Sequence, residues 1–352
     1  MIDHRPLTIG FAMKCAGWQW RVVNGQCSIK TSPLMPSLPS HGVVVKSTGS
    51  WYTVLTDAGE AVPCKVKGNL RLRGLRTTNP VAVGDRVSLV RREGDEVAFI
   101  AEIQPRRNAV VRRASNLSKQ SHVLAANIDQ AALLFTVARP ETTTVFADRF
   151  LAGAEAYGVP AIVVFNKVDD LAPDERRRKD DLRRIYEAAG YDCYDISALD
   201  GTGTDALHDA LAGKLTLLSG HSGTGKSTLL NRLVPGAGAR TAPLSDIHEM
   251  GMHTTTYSQL YPLPAGGGLI DIPGIKGFGT FDMRAAEVSH YFRDIFALSP
   301  GCRYGGCTHT HEPGCAVRQA LDEHRLAPTR YASYLSILAD EGENKYREKD
   351  MG

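Results

Sequence analysis

The sequence predicts a multidomain protein: an N-terminal OB-type β-barrel, a central α/β domain of the P-loop type, and a mostly helical C-terminal domain around a Cys/His cluster. Three observations predict it. Short β-rich runs with turn signals between them crowd residues 41–112. From 113 to 280 strand and helix patterns alternate, which implies a largely parallel sheet covered on both faces. Over 281–352 the pattern becomes helical around three cysteines and a histidine.

With 352 residues, 43% apolar and 22% charged, the chain can bury two or three cores, so wholesale disorder is excluded. No run approaches the ~18 apolar residues of a membrane span. Asp3 spoils the basic start of a signal peptide, and Lys14 interrupts the short apolar stretch after it. A cytoplasmic monomer without a membrane partner is expected. The seven cysteines, an odd number, do not read as a disulfide framework.

Residues 1–40 lack a period and end in a Pro/Ser-rich stretch at 31–40, as a flexible leader would. Patterned sequence begins only at His41, so translation from Met35 is one expectation, which the intact mass of the natural protein would check.

Strand-like runs follow at 43–45, 51–55, 60–64, 85–90 and 97–100. Five short strands in so small a span fit an OB barrel, a common nucleic-acid scaffold. Between 41 and 113 thirteen Lys and Arg stand against seven Asp and Glu, although the whole chain carries only +3. A local excess of positive charge attracts polyanions such as RNA.

In the central region, 131–137, 161–165 and 215–218 read as buried strands, and 145–157 and 180–189 as amphipathic helices. Gly220, His221, Ser222, Gly223, Thr224, Gly225, Lys226 and Ser227 match G-x-x-x-x-G-K-[ST] between a strand and a helical run that opens at Thr228. Glycines let the backbone wrap phosphates, so that its amides and a helix N-terminus face negative charge. Lys226 is expected on the β- and γ-phosphates, and Ser227 on Mg²⁺.

Asn166, Lys167, Val168 and Asp169 follow directly on the strand at 161–165. A carboxylate there can accept from guanine N1–H and N2, a pattern adenine lacks, so Asp169 can set specificity. Asp169 and Asp170 also suit a helix cap. At Ser197 and Ala198 a backbone amide could bind guanine O6. Downstream, Thr254, Thr255 and Thr256, then Asp271 through Gly274 (D-x-P-G), resemble the two switch elements of translation-factor-type GTPases. The usual order places the phosphate loop first. Here the N-K-x-D and S-A elements precede it, so the domain reads as a circularly permuted GTPase, a rearrangement that keeps the sheet packing.

Order and flanking text together resemble the circularly permuted, ribosome small-subunit-dependent GTPase family. The matching residues are T-G-S-W-Y at 48–52, V-G-D at 83–85, A-N-I-D at 126–129, D-R-F-L at 148–151, G-M-H-T-T at 251–255 and E-P-G-C-A-V at 312–317. The resemblance spans about residues 42–340. It implies a GTPase that assists maturation of the 30S particle, binds its rRNA, and turns over GTP to GDP faster on that subunit. Two departures stand out: the leader has no counterpart, and Met252 occupies a place where a basic residue is expected.

Cys302, Cys307, His309 and Cys315 lie within fourteen residues. Cys₃His is a closed set typical of one structural Zn²⁺, and thiolates exclude Mg²⁺ or Ca²⁺. The resemblance makes His309 the ligand and His311 the rival outside the shell.

Many GTPases place a water-orienting glutamine just after D-x-x-G. Ile275 holds that slot here, so slow intrinsic turnover is expected, with His253, another switch residue or the bound partner orienting the water. Two other classes stay open: an RNA-binding module that holds GTP with negligible turnover, and a P-loop kinase or ATPase. Asn166, Asp169 and Ser197 argue against the latter.

Overall fold

A computed structural model describes residues 21–23, 26–28, 40–66, 80–91, 95–113, 121–239, 258–272 and 286–349. Within the stretch read as a leader, β1 (Arg21–Val23) and β2 (Gln26–Ser28) pair antiparallel. The rest of residues 1–39 lies outside the described residues.

The barrel consists of β3 (Ser40–Ser47), β4 (Tyr52–Thr56), β5 (Ala61–Val66), β6 (Arg86–Val90) and β7 (Ala98–Ile103). Their order is β3-β4-β5-β7-β6, and β6 pairs back to β3, so the sheet closes. Only β5 and β7 run parallel. Inward positions alternate along the strands, and Val44, Tyr52, Val54, Val62, Cys64, Leu89 and Ile100 fill the interior. Asp85, fully buried at the lip, accepts from Ala82 N and from Arg106, the latter at 2.6 Å. That pairing explains the acid of the V-G-D element as a structural lock.

Next, β8 (Ala109–Arg113) and β9 (Ser121–Ala126) form a hairpin joined to the barrel by a Val83–Ala125 bridge. The central sheet contains β10 (Gln130–Phe135), β11 (Ala161–Phe165), β12 (Asp192–Asp195), β13 (Leu215–Ser219), β14 (Gln259–Pro262) and β15 (Gly268–Asp271). Its order is β12-β11-β10-β13-β15-β14, parallel except for β14. One Gln259–Lys46 pair joins it to the barrel.

Both faces are covered. Leu133, Phe135, Val163 and Phe165 pack toward α1 (Thr144–Ala156) and α2 (Pro173–Ala188). Ala132, Leu134, Ile162 and Val164 pack toward α3 (Thr204–Leu211) and α4 (Lys226–Leu233). Burial of alternate residues on opposite faces is why these strands read as continuous apolar runs. Helix α2 starts seven residues before the expected helix at 180–189. Pro173 stands at its first turn, and Glu175 accepts from Ala172 N at 2.9 Å. The charged run after Pro173 hides the period there.

The C-terminal domain has α5 (Arg293–Leu298), α6 (Ala316–Asp322) and α7 (Pro328–Lys349), with Val288, Phe292, Ile295, Val317 and Tyr334 in its core. It docks on α1, where Arg293 donates to Glu155 at 2.7 Å. Among the described residues no helix is long and apolar enough to cross a membrane.

Candidate nucleotide site and metal centre

The phosphate loop leaves the end of β13 and enters α4 through three glycines at positive φ: Gly220 (151°), Gly223 (82°) and Gly225 (94°). A Cβ on Gly225 would stand 2.4 Å from Asn166 Nδ2, so glycine is required by contact as well as by φ. Lys226 donates to the carbonyls of Gly220 and His221, the latter at 2.9 Å, and so sits inside the loop that phosphates would fill. Burial pulls the Lys226 ammonium below its usual range while Asp271, at the end of β15, opposes that. The Asp271 carboxyl is pushed up by burial and held down by Lys226. Each is the other's electrostatic partner.

Asn166, only 3% exposed, joins the two halves of the site. Its Nδ2 donates to Thr224 O of the phosphate loop at 2.7 Å. Its Oδ1 accepts from Ala198 N at 2.9 Å. The Ala198 amide, expected to face a base, is therefore engaged by Asn166. Lys167 takes φ of 66° and donates to Arg139 O at 2.5 Å, while burial lowers its pKa. Val168, Asp169 and Asp170 form one 3₁₀ turn, with Asp169 exposed just beyond the strand end. Ser197 is fully buried, and its Oγ accepts from Asp200 N at 3.2 Å.

The structure thus gathers residues 220–228, Asn166 to Asp169, Ser197, Ala198 and Asp271 around one loop cluster at the ends of parallel strands, where ligands of open α/β sheets bind. His253, Thr255 and Gly274 lie outside the described residues, as do Met252 and Ile275. Two participants were not singled out from sequence. Thr142 Oγ1 bonds His221 Nε2 at 2.8 Å. Arg232, six positions after Lys226 on α4, donates through Nε to Ala198 O at 2.7 Å and through Nη2 to Leu199 O. Nothing in the local pattern distinguishes Arg232 from an ordinary basic helix end.

The four residues that could hold a metal ion are already gathered. The donor atoms of Cys302, Cys307, His309 and Cys315 all lie within 4.8 Å of one another. A tetrahedral zinc with Zn–S of about 2.3 Å and Zn–N of about 2.05 Å spaces its donors at about 3.8 Å (S–S) and 3.6 Å (S–N). Cys302 and Cys315 Sγ are 3.9 Å apart, and each lies 3.5 Å from His309 Nδ1. His309 Nε2 bonds Ser299 Oγ at 3.1 Å, which fixes the ring. His311 is exposed and pairs with Thr310 instead. Glu312 accepts from the backbone amides of Thr308, Thr310 and His311, clamping the loop that carries His309. That explains the acid of the E-P-G-C element.

On the barrel, Trp51 is 45% exposed and Lys65 Nζ lies 4.2 Å from its ring centroid, beside a concavity that also reaches Gly49 and Pro80.

A family model described as RsgA GTPase matches residues 103–281, and one described as RsgA N-terminal domain matches residues 41–102. The small ribosomal subunit biogenesis GTPase RsgA of Bacteroides fragilis is 58% identical over 306 residues, spanning 87% of this chain and 98% of that protein. The relative of that name from Porphyromonas gingivalis is 56% identical over 310 residues, with the same two coverages, 87% and 98%. Among solved structures, YjeQ from Thermotoga maritima superposes with a TM-score of 0.70 at 32% identity, covering 86% of this chain and 99% of that one. YloQ, described as a circularly permuted GTPase, gives 0.68 at 25% identity, covering 88% and 96%.

Proposed function

The chain belongs to the RsgA GTPase family, and from that premise we propose that it binds the small (30S) ribosomal subunit, assists its late maturation and hydrolyses GTP to GDP and phosphate. Subunit binding stimulates the turnover. The observation that carries the enzymatic half is the pair of hydrogen bonds made by Asn166, which tie the loop we assign to base reading to the phosphate loop.

Chemistry at such a site is positioning and charge stabilisation. Lys226 exchanges its two loop carbonyls for phosphate oxygens, and their charge restores the ammonium that burial disfavours. The amides of 220–228 face the same oxygens. Asp169 and the loop at Ser197 and Ala198 read the base. Ser227, Thr255 and Asp271 are the residues that would hold Mg²⁺, which neutralises charge on the β- and γ-oxygens when bound. Gly274 senses the γ-phosphate. Because Ile275 cannot hydrogen-bond through its side chain, we assign the orientation of the attacking water to His253. His253→Ala is expected to keep GTP binding and lose stimulated hydrolysis.

RNA contact falls to the basic barrel, with Trp51 and Lys65 as a stacking and charge surface, and to the C-terminal domain, where one zinc ion held by Cys302, Cys307, His309 and Cys315 has a structural role. The protein acts as a cytoplasmic monomer.

GTP hydrolysis measured alone and with purified small subunits tests the reading. A low basal rate rising by roughly an order of magnitude or more supports it. A rate indifferent to subunits refutes the stimulation. Tight GTP binding without turnover on the subunit would favour an RNA-binding module that uses GTP as a ligand.

A further inference from the structure

Resting on the guanine-nucleotide reading above, we propose that Arg232 is a positioning residue for base recognition, tying the Ala198–Leu199 peptide to the phosphate-binding helix. Its Nε donates to Ala198 O at 2.7 Å and its Nη2 to Leu199 O. Two successive carbonyls facing one side repel each other, and a planar guanidinium satisfies both with fixed geometry, which a lysine ammonium does not. The D-G turn that follows is shaped around this group. Gly201 sits at φ +98°, and a Cβ there would lie 2.6 Å from Arg232 Nη1.

The consequence concerns the base. Ala198 is held from both ends, its amide by Asn166 at 2.9 Å and its carbonyl by Arg232. In a trans peptide the Leu199 N–H points opposite to the Ala198 carbonyl, hence away from Arg232. Arg232 therefore aims the Leu199 amide as the donor for a purine 6-oxo group. Adenine offers an amine there and gains nothing from that amide. Since Arg232 and Lys226 share the eight residues of α4, the base-reading loop is registered directly to the phosphate site. This link adds to the one through Asn166.

The test compares wild type, Arg232→Ala and Arg232→Lys for equilibrium binding of GTP, ITP and ATP, with GTP hydrolysis at saturation and thermal midpoints. ITP keeps the 6-oxo group and lacks the 2-amine. Arg232→Ala is expected to weaken GTP and ITP alike by about tenfold, to leave ATP unchanged, and so to shrink the preference for GTP over ATP. The loss falls on the KM for GTP rather than on kcat, and Arg232→Lys recovers part of the affinity. The nucleotide-free midpoint reads how much the freed Ala198 and Leu199 carbonyls cost the fold. An unchanged GTP-over-ATP preference in Arg232→Ala overturns the proposal. Equal losses for GTP and ATP also overturn it, because the loop would then serve the phosphates or the fold. Wild type without any preference for GTP would overturn the guanine reading itself, and this needs no variant to see.

Discussion

Arg330 Nη1 donates to Asp148 Oδ1 at 2.7 Å, joining α7 of the C-terminal domain to α1 of the central domain at a point where both side chains are 1% exposed or less. The same guanidinium forks onto both oxygens of Asp294 at 2.9 Å, and Phe292 lies 4.8 Å from its centre. Burial pushes the Asp148 carboxyl up, and Arg330 opposes that. Removing one partner of a buried pair leaves an uncompensated charge, which costs about 3–5 kcal/mol. Arg330→Ala is therefore expected to lower unfolding stability by that amount, measured by denaturant titration. A loss below about 1 kcal/mol, the range of a surface pair, would contradict the assignment.

Much of the site was legible because its chemistry is local in sequence. The phosphate loop and the cysteine set each lie within a short span, and glycines at 220, 223 and 225 have one steric explanation. The Arg330–Asp148 pair was not legible, since 182 residues separate its members and each reads alone as a surface charge on a helix. Arg232 was hidden for the same reason, because its partners are backbone carbonyls that carry no residue identity. The D-R-F-L and V-G-D elements carried the family resemblance without revealing that their acids are buried struts. The strands at 109–113 and 121–126 escaped notice because neither alternates: two valines and then two arginines stand side by side in the first, and the second ends in Val-Leu-Ala-Ala.

Metal removal should act on the C-terminal domain first. His309 and three thiols converge there, beside a cluster of buried apolar side chains that is smaller than the main core of the central domain. Structural zinc contributes folding free energy outright, an apparent value of ~10–16 kcal/mol in zinc-finger peptides. One zinc per chain by elemental analysis, and a chelator-induced drop of the thermal midpoint with GTP binding retained, are the expected results. A midpoint indifferent to the chelator would mean that packing alone sustains the domain.

Trp51 offers an exposed ring beside a lysine ammonium, the combination that stacks an unpaired base and attracts its phosphate. Trp51→Ala should weaken association with the small subunit by about 1–3 kcal/mol, the worth of one stacked base. The affinity for GTP, set on another domain, should not move. Sedimentation with subunits at fixed salt reads the first and fluorescence titration the second. Equal subunit binding by the variant would remove Trp51 from the contact surface.

Asp169 is the exposed acid of the turn after β11, and in the proposed reading its carboxylate accepts from two donors on guanine. Asparagine in its place presents one donor and one acceptor, which suits the 2-oxo group of xanthine. Asp169→Asn should lose GTP affinity by roughly a hundredfold and gain affinity for XTP, since a polar group left unpaired once the bound base covers it costs about 1–3 kcal/mol. Competition of the two triphosphates for one labelled analogue measures both. Retention of full GTP preference would place base recognition elsewhere.

Lys226 makes nucleotide affinity sensitive to alkaline pH. Burial lowers its pKa in the free protein, with Asp271 opposing the shift. Bound phosphates, being anionic and close, raise it. The bound form therefore holds more proton than the free form in the window between the two values, and binding there takes up a proton. Affinity for GTP should be level at neutral pH and fall as pH rises through the lowered pKa of the free protein. At most the fall is tenfold per pH unit for one proton. Below the usual lysine range, a surface lysine would give no such decline. Calorimetric titration at several pH values, in buffers of different ionisation enthalpy, reports both the affinity and the proton uptake. Level affinity through the alkaline range, with no proton uptake, would show that Lys226 keeps its charge in the empty loop.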